Sequence, residues 1–352
     1  MSARPRRSTV GRRARAAAAV AAVALLAACG AGGGEAEDGA ESSAPAAEAD
    51  AFPVTIEHAL GTTEITEQPE RVVTIGWGSQ DTVLALGIVP VGVPADTWAG
   101  DPDTGLLPWT AEEVEELGGE APTTFIDMPE VDVEEIALLA PDLVLATYSG
   151  ITAEVYEQLS AIAPTVAYPD QPWLVSWQDQ TVINGTALGR KADAEKLVEE
   201  MTQTIATAAE ANPTLEGKTF AYVYASPDGT LGAYVAGDPR VDLLTDLGMV
   251  LAPSIDELEV PAGTFYVDLG TENTDLLADV DVLVTFFNDE AEQATVEGLG
   301  TFSSIPAVQR GSYVALLDRQ LGMAMSTTTA LSLPWGLEEF VPQLVTAAEA
   351  AE

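Results

Sequence analysis

Between Gly189 and Pro213 the chain runs without a glycine or a proline, and Leu197, Val198, Met201, Ile205 and Ala208 recur at helical spacing. This predicts one uninterrupted helix over 191–211, about 30 Å long at 1.5 Å rise per residue. It stands between two stretches of a different pattern.

Both parts alternate short apolar runs with helical stretches. On the N-terminal side, strands are expected at 72–75, 89–93, 143–147 and 166–168, and helices at 79–86, 133–139 and 177–188. Gly87 and Gly189 stand where a left-handed residue would end a helix, and Pro141-Asp142 breaks another. On the C-terminal side the alternation restarts with strands at 220–225, 231–235, 282–286 and 313–317, a helix over 239–247 and a last helix from about 334. Strands separated by helices imply parallel βαβ units on both sides. Residues 134–148 also lie on 272–286 without a gap, with seven identities and Tyr148 meeting Phe286. This echo predicts two lobes of like architecture. A cleft at the carboxyl ends of their strands is where such a protein binds a ligand.

The first fifty residues are of another kind. Six arginines, Arg4, Arg6, Arg7, Arg12, Arg13 and Arg15, precede an apolar run over 16–28, with no acidic residue before Glu35. Thirteen apolar residues are too few for a bilayer, which needs ~20, but suit a secretory signal. Neither arginine pair opens a twin-arginine motif, so the general export route is expected. Leu26-Ala27-Ala28-Cys29 resembles a bacterial lipobox, which predicts a signal over 1–28 and a diacylglycerol on Cys29. Residues 29–51, rich in Gly, Ala, Glu and Ser, read as a disordered lipid-anchored linker. The lobes are then 52–189 and 213–352, joined by 190–212.

The residue inventory narrows function. Acidic residues number 56 against 14 basic, and removal of the six signal arginines leaves eight, for a formal charge of −48. Nucleic acid, which needs Lys and Arg stripes, is excluded as a partner. One histidine, His58, and one cysteine, Cys29, cannot build a Ser-His-Asp triad, a His/Cys zinc site or a disulfide scaffold. The expectation is a protein that binds and does not catalyse.

Several stretches then carry a resemblance. They are 52–58 (FPVTIEH), 69–73 (PERVV), 86–93 (LGIVPVGV), 138–146 (LLAPDLVLA), 163–168 (APTVAY), 237–240 (GDPR) and 331–334 (LSLP). In this order, after a lipobox, the chain resembles the ferric-siderophore and cobalamin substrate-binding lipoproteins of ABC importers, over about 52–345. The resemblance implies two Rossmann-like α/β lobes with mainly parallel sheets, bridged by one long helix. It implies a monomer on the outer face of the cytoplasmic membrane that hands an iron chelate to a permease and its ATPase subunits, without a cofactor of its own. It also implies one glutamate per lobe that docks on the permease. Glu134 and Glu272 match, although each also reads as a first-turn glutamate at a helix N-terminus, and Glu135 competes with Glu134.

Ligand contacts are expected from strand-end loops: Trp77, Tyr148, Trp173, Arg240, Tyr266 and Phe287, with Trp98, Trp109, Phe265 and Met323 nearby. Flat aromatics cover a bulky chelate at low entropic cost, and an arginine offers a fixed fork of donors. For each aromatic the competing reading is core packing, and for Arg240 a salt bridge to the acidic surface. His58 is expected to be an exposed hairpin residue. Haem, with Tyr148 or Tyr266 on iron, and cobalamin are the alternative ligands, and a cleft enzyme built on carboxylates is a more distant one.

Overall fold

The computed structural model describes residues 45–261, 264–270 and 273–352. The signal, Cys29 and Glu272 lie outside the described residues.

The N-terminal lobe opens on a hairpin, β1 (Val54–His58) and β2 (Gly61–Ile65). It continues with β3 (Val72–Gly76), α1 (Ser79–Ala85), β4 (Gly92–Pro94), α2 (Pro108–Leu117), β5 (Thr123–Phe125), α3 (Val133–Leu138), β6 (Leu143–Tyr148), α4 (Ala153–Ser160), β7 (Thr165–Ala167) and α5 (Trp177–Ala187). Its main sheet is wholly parallel, in the order β5-β4-β3-β6-β7. Every residue of β3 and β6 is buried, as central parallel strands covered on both faces must be. Alternate side chains divide between two cores. Val72, Leu143, Leu145 and Val166 face α1 and α5, while Val73, Ile75, Val144 and Ala146 face the other side with Ile136 and Leu159.

The interlobe helix α6 spans Lys191–Ala211, as its spacing predicts, and buries Ala194, Met201 and Ile205 on one face. Pro213 stops it. Its first turn receives a cap that the composition of the linker concealed: Glu48 Oε1 accepts from Ala192 N at 2.6 Å. Residues 45–51, assigned to the disordered linker, pack on the body, and Gln68 bonds both Pro45 O and Ala47 N. A polar segment gains order here by satisfying orphan groups of a helix N-terminus.

The C-terminal lobe carries β8 (Thr219–Ala225), β9 (Leu231–Tyr234), α7 (Pro239–Asp246), β10 (Val250–Leu251), α8 (Pro253–Asp256), β11 (Tyr266–Asp268), β12 (Val282–Phe286), α9 (Glu290–Glu297), α10 (Gly300–Ser303), α11 (Pro306–Arg310), β13 (Tyr313–Leu316), α12 (Arg319–Thr327) and α13 (Ser332–Ala350). Its sheet runs β11-β9-β8-β12-β13, with β10 beside β8. β10, β8, β12 and β13 are parallel, but β9 pairs antiparallel with both β8 and β11. The sheet is thus mainly parallel, with β9 the strand that departs from the βαβ reading of 220–235. Five residues, Ser226 to Thr230, join β8 to β9, too few for a crossover, and Asp228 folds them by accepting from Ser226 Oγ, Thr230 N and Thr230 Oγ1.

The internal echo is structural. β6 lies between β3 and β7, and β12 holds the matching place between β8 and β13. The helical halves differ: α3 answers to a single 3₁₀ turn at Thr274–Leu277.

His58 sits on the hairpin as expected but is 8% exposed. Its Nδ1 accepts from Leu60 N, and its Nε2 lies 3.0 Å from Thr63 Oγ1, which itself donates to Thr165 O. That chain of donors holds the ring neutral with its proton on Nε2, and burial lowers its pKa. The local alternation was right; the docking of the hairpin on β7 buries the ring.

Candidate functional site

The cleft between the lobes holds a cavity of about 420 Å³. Its N-lobe wall is built at the carboxyl ends of β3, β4 and β5. β3 leaves the sheet through Gly76-Trp77-Gly78, in which both glycines have left-handed φ (+78° and +77°). A Cβ on Gly76 would lie 2.1 Å from Tyr148 O, so only glycine lets the chain turn there and present Trp77. Trp77 lines the cavity. Tyr148 and Trp173 support it from behind at ring distances of 6.1 and 5.4 Å, and Gln180 Nε2 holds its carbonyl at 2.7 Å. Asp96, after β4, accepts from Trp98 N, Ala99 N and Gly100 N and so closes the turn that aims Trp98 at the other lobe. Asp127, after β5, accepts from Gly76 N at 2.8 Å.

The C-lobe wall comes from β9, β12, α7 and α12. Tyr234, Phe265, Phe286 and Met323 line it with Arg240. Pro239 at the start of α7 and the Asp238 cap place Arg240. Its Nη1 donates to the fully buried Asp238 at 2.8 Å, its Nε to Ser326 Oγ at 3.1 Å, and its Cζ lies 4.3 Å above the Tyr234 ring. Burial is the largest single influence and works against the guanidinium charge, but Asp238 together with Tyr234, Tyr148 and Tyr222 outweighs it, and the Arg240 pKa is raised. The result is a permanently charged fork held rigid on three sides.

Two contacts close the lobes on each other. At the mouth, Trp98 Nε1 donates to Asn288 Oδ1 at 2.7 Å, Arg319 Nη1 donates to Trp98 O at 3.5 Å, and Phe286 meets the Trp98 ring edge-on at 5.5 Å. Below the cavity, Trp109 packs on Trp335 at 5.2 Å, and the buried Asp81 collects Trp109 Nε1, Thr110 Oγ1 and Thr329 Oγ1. Ala99, Leu107, Trp109 and Trp177 thus belong to the same apolar core as α7, α12 and α13.

This arrangement of two like lobes, one bridging helix and an aromatic cleft is that of a known family. The family model described as "Periplasmic binding protein" matches residues 72–320. The chain belongs to that family. Its members are substrate-binding proteins. PiaA of Streptococcus pneumoniae TIGR4, solved in complex with ferrichrome, is 34% identical, with a TM-score of 0.79 covering 85% of this chain and all of that one. Among curated proteins, the probable siderophore-binding lipoprotein YfiY of Bacillus subtilis (strain 168) is 35% identical over 145 residues, 41% of each chain. The match therefore spans about two fifths of that relative's length. The ferric enterobactin-binding periplasmic protein FepB of Escherichia coli O6:H1 is 24% identical over 78% of this chain and 87% of that one.

Within this binding-protein cleft, the residues nominated from sequence take unequal places. Trp77 and Arg240 line the cavity, as do Trp98, Phe265 and Met323. Tyr148 is 1% exposed and forms the floor beneath Trp77, with burial raising its pKa; Trp173 backs Trp77. Neither belongs to the wall. Tyr266 projects from β11, its ring edge against Phe265 and Tyr224, and is also off the wall. Phe287 lies in the far core with Phe302, while its neighbour Phe286 faces the cleft. A one-residue error at a strand end moves a side chain to the opposite face. Trp109 is core. Arg240 does make a salt bridge, but one buried in the wall and not on the surface. The residues that sequence reasoning missed are Tyr234, Phe286, Asp96 and Asp127. Asp127 follows β5, a three-residue strand whose signal, Thr123-Thr124-Phe125 after Pro122, is short but β-branched.

Proposed function

We propose that this protein is the extracytoplasmic substrate-binding component of an ABC importer, capturing an intact ferric siderophore one to one. The observation that carries the reading is the cavity itself: Trp77, Trp98, Tyr234, Phe265 and Phe286 around one buried guanidinium. Aromatic faces suit a bulky chelate, and Arg240 suits oxygens already bound to iron. The 34% identity to a chain solved with ferrichrome supports the same reading. Haem is the weaker alternative, because Tyr148 is sealed beneath Trp77 and Tyr266 stands off the cavity wall.

The lipid anchor on Cys29 and delivery to a permease belong to this reading. Glu134 is exposed in the first turn of α3, and Leu138, one turn on, is 85% exposed. The two share a face, so a charged contact and an apolar contact are available together on the N-lobe. Glu272 would be their counterpart on the other lobe. The test of binding is a titration with ferric hydroxamates, catecholates and carboxylates, read by tryptophan emission and melting temperature. Quenching and a raised melting temperature with at least one class are expected; no response to any of them would overturn the proposal.

A further inference from the structure

The cavity carries an unbalanced charge. Its positive group, Arg240, is already paired with the fully buried Asp238. Two carboxylates, Asp96 and Asp127, also line it, and among the described residues neither takes part in an ion pair. The nearby Arg319 donates to the carbonyls of Asn288 and Trp98 and, among the described residues, forms no ion pair with either acid. Asp127 stands in a half-buried corner where Gly76 N fixes one of its oxygens. Burial, with Asp96 adding like charge, raises its pKa, the mark of a carboxylate short of solvent and of cations.

Resting on the siderophore reading, we propose that Asp127, reinforced by Asp96, is the charge-selecting residue of the cleft. It favours ferric chelates that are neutral or carry a positive arm, and disfavours polyanionic ones. An ammonium on a hydroxamate chelate would supply the counter-charge the wall lacks. A ferric triscatecholate would bring three negative charges against two carboxylates, with a single and already paired guanidinium to offset them.

The overall acidity of the protein would act in the same direction, but from a distance. At ~8 Å screening length, surface charge is damped by physiological salt, whereas a carboxylate in the wall is not. The two causes are therefore separable by mutation.

The experiment measures dissociation constants of the full chain and of Asp127→Asn for three probes: ferrioxamine B (cationic), ferrichrome (neutral) and ferric enterobactin (trianionic), each at low and at 0.5 M salt. Asparagine keeps an oxygen for Gly76 N, and circular dichroism with melting confirms that the variant folds. The parent is expected to rank cationic and neutral chelates above the trianionic one. In Asp127→Asn the ratio of cationic to neutral affinity should fall about tenfold, as expected for one partly desolvated charge pair. The proposal is overturned if the trianionic chelate binds the parent best, if Asp127→Asn leaves the ratios unchanged, or if salt alone erases the ranking. Binding of none of the three by the folded parent would overturn the siderophore reading as well, and so distinguishes the two failures.

Discussion

Replacing Asp81 with asparagine should stabilise the protein above pH 6 and leave it nearly unchanged near pH 4. The carboxylate is wholly buried where the lobes meet, with Trp109 Nε1 at 2.8 Å, Thr329 Oγ1 at 2.7 Å and Thr110 Oγ1 at 3.0 Å. Burial raises its pKa from 3.8 to about 6, a rise that the three hydrogen bonds only partly offset. A group with a raised folded-state value contributes stability that is complete below its unfolded value and is lost as pH rises through the folded one. The window here runs from 3.8 to about 6, and the amount is about 3 kcal/mol. Asparagine keeps the shape, keeps an oxygen for Trp109 and Thr329, and turns an amide toward Thr110, whose hydroxyl can accept. It removes the charge without breaking the junction. Alanine leaves an indole N–H and two hydroxyls unsatisfied, at ~1–3 kcal/mol each. Urea denaturation of the parent, Asp81→Asn and Asp81→Ala at pH 4.5, 6.0 and 7.5 reads all of this. A parent–asparagine difference that does not change with pH would refute the argument, as would an asparagine variant less stable than the parent at pH 7.5.

The remaining outcomes rest on other residues. Arg240→Ala should lose ligand binding and also cost roughly 3–5 kcal/mol of stability, because Asp238 is left buried and unpaired; Arg240→Met with Asp238→Asn should recover the melting temperature but not the affinity in a titration. Glu134→Arg together with Glu272→Arg should keep ligand affinity while abolishing growth of cells on the ferric chelate, since charge reversal at a docking surface costs several kcal/mol; sustained growth would remove both residues from the docking role. His58, with its lowered pKa, contributes stability that is complete above 6.5 and is lost as pH falls through the folded value. His58→Gln should therefore lose less stability than the parent between pH 7 and pH 5 in thermal melts.

The fold was legible wherever one local rule decided it. The 21-residue spacing of α6, the glycine stops after α1 and α5, and the strand halves of the internal echo depend on nearest neighbours and periodicity, and the structure places them within a few residues. What eluded the sequence depended on distant partners. Glu48 reads as one more linker acid until the N-terminus of α6 comes beside it. His58 reads as exposed until Thr63 ties the hairpin to β7. In the site, Trp77 was legible because Gly76 and Gly78 announce a turn at a strand end, and Arg240 because Asp238-Pro239 opens a helix. Phe286 was confused with Phe287 because both are aromatic and only the end of β12 says which one faces the cleft. Asp127 gave no signal of its own: its place depends on β5 joining the sheet edge beside β4.

Native mass spectrometry of the protein mixed with a panel of ferric siderophores tests the central claim most directly, because it weighs iron, chelator and protein together. The account predicts a one-to-one complex whose added mass is that of the intact ferric chelate, with the chelator recovered unchanged on release. Iron retained without its chelator, or a chelator recovered with altered mass, would contradict it.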